Sequence, residues 1–225
     1  MRRIHKTCNL STVYKAWQDG IEASGQPHPP YRSSNDDYYW DVAMNLYHCQ
    51  GGLCAYTEML LCSPELYQAN RWQNGRYAES AEGNPNVKGQ LEHFYKELKQ
   101  NRGWLWDNFF MVDSDVNTKV KKSHVVDPIL KPDAADYNEF EKLEYDMSKH
   151  VFIPNSGLPE AVRERINEMI LILGINYDPI RELRRIYFSR ILKMIEFKIE
   201  TWDSINPEMF PTAYAMMRMT NTEGG

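Results

Sequence analysis

Between Asp178 and Ile199 the apolar side chains Ile180, Leu183, Ile186, Tyr187, Ile191, Met194 and Ile195 recur at helical spacing. A stripe of that length specifies an amphipathic helix that must bury one face against the rest of the chain. A second helix precedes it, with Pro159 in its first turn, running to about Leu173 and closed by Gly174. These two elements predict a helical C-terminal part. Upstream, the runs Glu141 to Tyr145 and His150 to Ile153 flank Asp146-Met147-Ser148-Lys149 and read as a hairpin. Trp40, Ala43, Met44 and Tyr47 share one face of a further helix, capped by Asp36 or Asp37 and stopped at Gly51-Gly52. Residues 1 to about 37 read as an irregular arm, rich in turn residues from Gly25 to Pro30 and again at Ser33 to Asp37. Residues 221–225 read as a frayed tail.

Composition narrows the class. The chain has 225 residues, 42% of them hydrophobic and 25% charged, which excludes a low-complexity chain and leaves enough length for a real core. The net charge of −5 means that any nucleic-acid site must be a local basic patch on an acidic body. Cys8, Cys49, Cys54 and Cys62 are irregularly spaced and give no disulfide framework, so reduced thiols in a cytoplasm are expected. The basic start Met1 to Lys6 is followed by no apolar run, and the longest apolar stretch is Met169 to Ile175. Neither a signal peptide nor a membrane span is expected.

The middle of the chain carries the chemistry. Gln73-Asn74-Gly75 and Glu82 to Asn86 are turn or loop chemistry. A short strand is expected over Gln90 to Tyr95, and Trp106 to Val112 reads as a turn entering a buried apolar segment. Ser114-Asp115 then offers a cap for a helix starting near Val116. Along these elements lie Glu92-His93, then Asn108 fifteen residues on, then Asn117 nine further. An acid–His pair at a strand end, a middle Asn and a final Asn on a helix, in that order, resemble the ββα-metal motif of HNH endonucleases. The flanking strings extend the likeness: Gly51 to Glu58, Met1 to Lys6, Asp127-Pro128, Leu143 to Asp146 and Leu173 to Asn176 before an Arg-rich helix. Together they resemble the PtuB-like HNH effectors of Septu and retron anti-phage systems, which act beside an ATPase partner.

The resemblance implies an α+β protein with an HNH core at residues 51–125, an N-terminal arm and helix at 1–50, and a hairpin with C-terminal helices at 126–225. It implies hydrolysis of a DNA phosphodiester with His93 as general base, the side chain whose ordinary pKa suits taking a proton from water. Glu92 and Asn117 would be hard oxygen ligands of Mg²⁺ or Mn²⁺. Asn108 would fix the loop and orient the His93 ring. Lys119, Lys121 and Lys122 are candidate phosphate contacts. The partners implied are DNA and an ATPase of a defence complex.

One departure concerns zinc. Where the family carries two Cys-x-x-Cys pairs, this chain has Cys54-Ala55-Tyr56-Thr57 and Asp113-Ser114-Asp115-Val116. One thiolate of four cannot close a tetrahedral site, so no structural zinc is expected. Another is Lys96, where the family usually has Pro. The alternative reading is an inactive HNH-like scaffold that binds a partner or nucleic acid, although Glu92, His93, Asn108 and Asn117 all persist. His124 is a further metal candidate, and Arg71, Trp72 and Arg76 could stack on or steer a strand. The basic residues Arg181, Arg184, Arg185, Arg190 and Lys193 mark either a docking face or a solvated one.

Overall fold

Glycines with positive φ punctuate the chain where its direction must change. A computed structural model describes residues 1–7, 10–32, 36–78 and 85–222. Helix α1 is Thr12–Ser24, capped by the Ser11 side chain accepting from Tyr14 N and ended by Gly25 at φ 64°. This corrects the irregular arm expected there: Tyr14, Trp17 and Ile21 sit on one face, and Tyr14 is fully buried. Helix α2 is Tyr39–Gln50, buried along most of its length, with Gly51 and Gly52 closing it through bonds to His48 O and Tyr47 O. Its start is not capped by an aspartate side chain; Tyr39 N donates to the backbone carbonyl of Asp36 instead. Ser33, Ser34 and Asn35 of the expected turn, and most of the Glu82 to Asn86 loop, lie outside the described residues.

After the short helix α3 (Pro64–Tyr67), strands β1 (Trp72–Gln73) and β2 (Arg76–Tyr77) pair antiparallel around Asn74-Gly75. Both turn residues have positive φ, 51° and 74°, which is the geometry that twists a two-residue hairpin correctly. The central hairpin follows. Strand β3 (Gly89–His93) pairs antiparallel with β4 (Phe109–Asp113), with Glu92 opposite Phe110 and His93 opposite Phe109. The outer edge of β4 meets the α2 terminus and the loop after it: the Gln50 side-chain amide donates to Met111 O and accepts from Met111 N, at 2.8 and 2.9 Å, and Ala55 N also donates to Met111 O at 3.0 Å. A buried primary amide thus continues the ladder where no third strand exists, satisfying groups that would be costly to leave unpaired.

Directly after β4 the chain winds into a single π-turn, Val116–Lys121, in which Lys122 N donates to Asn117 O at 2.9 Å. Its start is held by Asp113, whose Oδ1 accepts from the N–H groups of Asp115 and Val116, both at 3.0 Å. Helix α4 (Glu139–Lys142) leads into the hairpin of β5 (Leu143–Asp146) and β6 (Val151–Pro154), close to the boundaries expected. Helices α5 (Glu160–Ile172) and α6 (Asp178–Glu196) meet at Gly174, and α7 (Pro211–Thr222) closes the chain. The C-terminal part therefore holds three substantial helices where two were expected, and Asn221 and Thr222 belong to α7. The architecture is α+β, with helices around three two-stranded sheets among the described residues. Buried apolar side chains from Met1 to Met217 form one continuous cluster. No helix among the described residues is long and apolar enough to cross a membrane.

Gly174 ties the C-terminal helices to the π-turn. Its φ is +64°, and a Cβ there would lie 3.1 Å from Val116 Cγ1 and 3.2 Å from Val120 Cγ1. Gly174→Ala is expected to cost about 1–2 kcal/mol from the left-handed backbone alone, and more if the valines cannot give way. Urea unfolding of the two proteins checks this; equal midpoints would contradict it.

Candidate functional site

The alternation of a strand divides β3 into two faces. Gln90 and Glu92 lie on one, Leu91 and His93 on the other, so the acid and the imidazole of the pair point away from each other. On its face His93 is 5% exposed and packed between two rings. Phe109, its cross-strand neighbour, has its ring centroid 4.7 Å away, and Tyr31 from the segment after α1 covers it edge-on at 5.0 Å. Trp104 closes the cluster beside Tyr31 and Phe109. The covering segment is anchored: His28 N donates to Asn101 O, Trp104 N donates to His28 Nδ1, and Arg102 pairs with Glu22.

The His93 ring is oriented by the backbone. Its Nε2 is 2.8 Å from Gly103 O. A carbonyl oxygen only accepts, so Nε2 carries the hydrogen and Nδ1 keeps the lone pair. Burial pushes the imidazole down from 6.5 to about 4, offset partly by the Gly103 bond and helped by the nearby Lys99 and Lys121 charges. At neutral pH it is an uncharged acceptor. Asn108 serves the loop and not the ring. It does fix the loop, with its Oδ1 accepting from Tyr95 N at 2.7 Å and its Nδ2 donating to Tyr95 O at 2.9 Å. Those two bonds use its side chain on the backbone two residues past His93, and the orienting of the ring falls to Gly103 instead.

The other face of β3 meets the π-turn. Asn117 and Lys121, four residues apart, fall on the same side of the π-turn and face the strand together. Asn117 Nδ2 donates to Gln90 Oε1 at 3.4 Å. Lys121 Nζ forms an ion pair with Glu92 and donates to His93 O at 3.2 Å. Lys121 is wholly buried and Glu92 8% exposed. Burial raises the Glu92 carboxyl above its usual range even with Lys121 beside it.

This placement corrects the expectation that Lys121 touches a phosphate backbone: a wholly buried ammonium spent on Glu92 presents nothing to an external strand. Lys119 and Lys122 are exposed, and Lys119 already pairs with Asp115 at 2.7 Å. The donor set was also expected to hold Mg²⁺ or Mn²⁺. As arranged, Glu92 and Asn117 do not fit such an ion, because the only carboxylate of the set is neutralised by an internal ammonium and the amide is turned to Gln90. Among the described residues no group of three or more His, Cys, Asp or Glu side chains is placed to share a metal. His124 is exposed, its backbone N–H bonded to Lys121 O.

The positions that the resemblance assigns to zinc do come together, joined by hydrogen bonds. Cys54 Sγ accepts from Asp113 N at 3.4 Å, and Asp113 Oδ1 in turn accepts from Val116 N at 3.0 Å. Burial pushes the Cys54 thiol up, so it behaves as a small buried hydrophobe with a polar contact. Of the other candidates, Arg76 is tied to Asp41 at 2.6 Å and lies over the Tyr38 ring, while Trp72 packs on Tyr77. Arg184 is wholly buried, donating to His150 O and Ile175 O, and so is no part of an exposed basic face. Arg181 and Arg185 pair with Asp178 and Glu182 on their own helix.

Three participants had no sequence signal. Tyr31 lies in a turn-rich stretch, Gly103 acts through its carbonyl, and Lys99 reaches over the Tyr31 ring at 5.1 Å from a loop with no periodicity. Comparison with family models and with curated proteins gives no match.

The lowered His93 pKa fixes the sign of a stability change. Between pH 6.5 and about 4 the unfolded chain binds a proton at this imidazole that the folded chain refuses. Stability from this residue is therefore present above pH 6.5 and erodes as pH falls towards 4, by about 3 kcal/mol in all. Unfolding of wild type and His93→Gln across that range checks it: the variant is expected to show the flatter profile, and parallel profiles would contradict the assignment.

Proposed function

We propose that this protein is an HNH-type phosphodiester hydrolase acting on DNA, with His93 as the general base. The observation that carries the reading is the state of His93: a ring held by Gly103 O through Nε2, leaving Nδ1 as an unprotonated acceptor at neutral pH. A water proton would pass to Nδ1 as the water oxygen attacks phosphorus and the opposite P–O bond breaks, the leaving sugar oxygen taking a proton from solvent and the imidazolium later returning its own to solvent. Support comes also from the order of elements, an antiparallel pair followed at once by a helical turn bearing Asn117. In this reading the pair and the turn are the ββα core, and Lys99, Lys119 and Lys122 are exposed cations available to phosphate. The resemblance adds the setting: a nuclease effector in the cytoplasm, beside an ATPase partner of an anti-phage complex.

The ring cluster around His93 makes this a closed arrangement. With Tyr31 over the imidazole, a phosphodiester cannot reach Nδ1 until that contact opens. Opening would also return the imidazole towards its solvent pKa and make it a better base. A second reading, a catalytically silent HNH-like scaffold for a partner or nucleic acid, is favoured by the Glu92–Lys121 pair, which occupies the carboxylate that hydrolysis by the expected route would need.

One assay separates the two readings. Purified wild type, His93→Ala and Tyr31→Ala are incubated with plasmid and with single-stranded DNA, with Mg²⁺, with Mn²⁺ and with a chelator. Hydrolysis is expected to fall by about 10²–10⁴-fold in His93→Ala, the usual contribution of a positioned base, and to rise in Tyr31→Ala. Equal cleavage by wild type and His93→Ala removes His93 from the chemistry, and no cleavage by any of them, alone or with a co-purified partner, favours the scaffold.

A further inference from the structure

The face of β3 opposite His93 is built as two rungs. Residues two apart on a strand and four apart on the π-turn advance together, so Gln90 meets Asn117 and Glu92 meets Lys121. In the resemblance Glu92 and Asn117 would converge on one cation. Here they stand on different rungs, and the cation on the Glu92 rung is part of the chain. The Lys121 ammonium touches both Glu92 Oε1 and the backbone carbonyl of His93, which are two hard oxygens of the kind a divalent ion would use. The winding that carries it is itself unusual, since a π-turn is rare, and its i→i+5 bond runs from Lys122 N to Asn117 O. Lys121 is wholly buried and Glu92 nearly so, so a dication could reach this carboxylate only by expelling the ammonium or by standing beside it against its repulsion.

We propose that Lys121 is the resident cation of this site: its ammonium fills the seat on Glu92 that a divalent metal would take, so that Mg²⁺ and Mn²⁺ do not bind at Glu92 in the native chain. The proposal rests on the reading of Glu92 as the acid of an HNH-like site, but its test does not depend on cleavage. Removing the ammonium while keeping the bulk, as in Lys121→Met, frees the carboxylate and creates the metal seat.

In the full wild-type chain labelled with ¹⁵N-lysine, the buried Lys121 Nζ is expected to give a slowly exchanging ammonium signal. Millimolar Mg²⁺ should leave it unchanged, and Mn²⁺ should not broaden it beyond the effect on surface lysines. Loss or displacement of the signal by Mg²⁺ would overturn the proposal. Mn²⁺ titration followed by electron paramagnetic resonance gives the second readout. Wild type and Glu92→Gln should bind equally little. Folded Lys121→Met should gain one site, and Lys121→Met/Glu92→Gln should lack it. Wild-type binding that disappears in Glu92→Gln would sink the idea, as would a folded Lys121→Met that gains nothing. Should Lys121→Met fail to fold, the ammonium signal and the wild-type against Glu92→Gln titration still decide the matter. A chain that never cuts DNA yet gains Mn²⁺ only on losing Lys121 would retire the hydrolase reading and leave this one standing.

Discussion

A carboxylate withdrawn from water must be neutralised or protonated, and Glu92 meets that demand from within the chain. Its partner comes from twenty-nine residues downstream, so the ion pair sets the distance between β3 and the π-turn. Buried pairs of this kind contribute little net stability, because desolvation offsets most of the attraction, yet losing one member is costly. The pair therefore acts as a registry device. It fixes which turn of the helix faces which residue of the strand, and with it the Asn117–Gln90 contact one rung away.

Around that registry the hairpin is stabilised by polar groups bonded to its backbone and ring. Asn108 clamps Tyr95, Gln50 continues the β4 ladder, and Gly103 holds His93. Each is a polar side chain or carbonyl satisfying a buried backbone or ring group, which is what allows a two-stranded sheet to sit deep in a core. The hydrogen bond from Asp113 N to Cys54 Sγ does similar work between the loop after α2 and the end of β4. Val116, Phe109 and Phe110, all wholly buried, add burial to the same part of the core.

What could be read from the sequence was what strong local signals specify. The α2 stop at Gly51-Gly52, the Asn74-Gly75 turn, the α5 end at Gly174 and the long stripe of α6 all follow from backbone chirality or periodicity. Helix α1 was hidden because Gly20 interrupts it and turn residues crowd its C-terminal side, although Ser11, Gly25 and the Tyr14–Trp17–Ile21 spacing do mark it. Helix α7 was hidden by a methionine-rich, weakly patterned run, and it is anchored by a distant contact, Thr212 N to Glu58. At the candidate site the residue types and order were visible, but pairing was not. Which oxygen Lys121 would find, that Asn108 would turn to Tyr95, and that Tyr31 would lie on His93 depend on contacts across 13 to 62 residues of chain, and no local pattern encodes those.

The bare backbone at Gly174 places the elbow between α5 and α6 directly against Val116 and Val120. With no side chain between them, the α5–α6 junction and the turn that presents Lys121 pack backbone against side chain, so neither can accept a bulkier residue at this point without displacing the other.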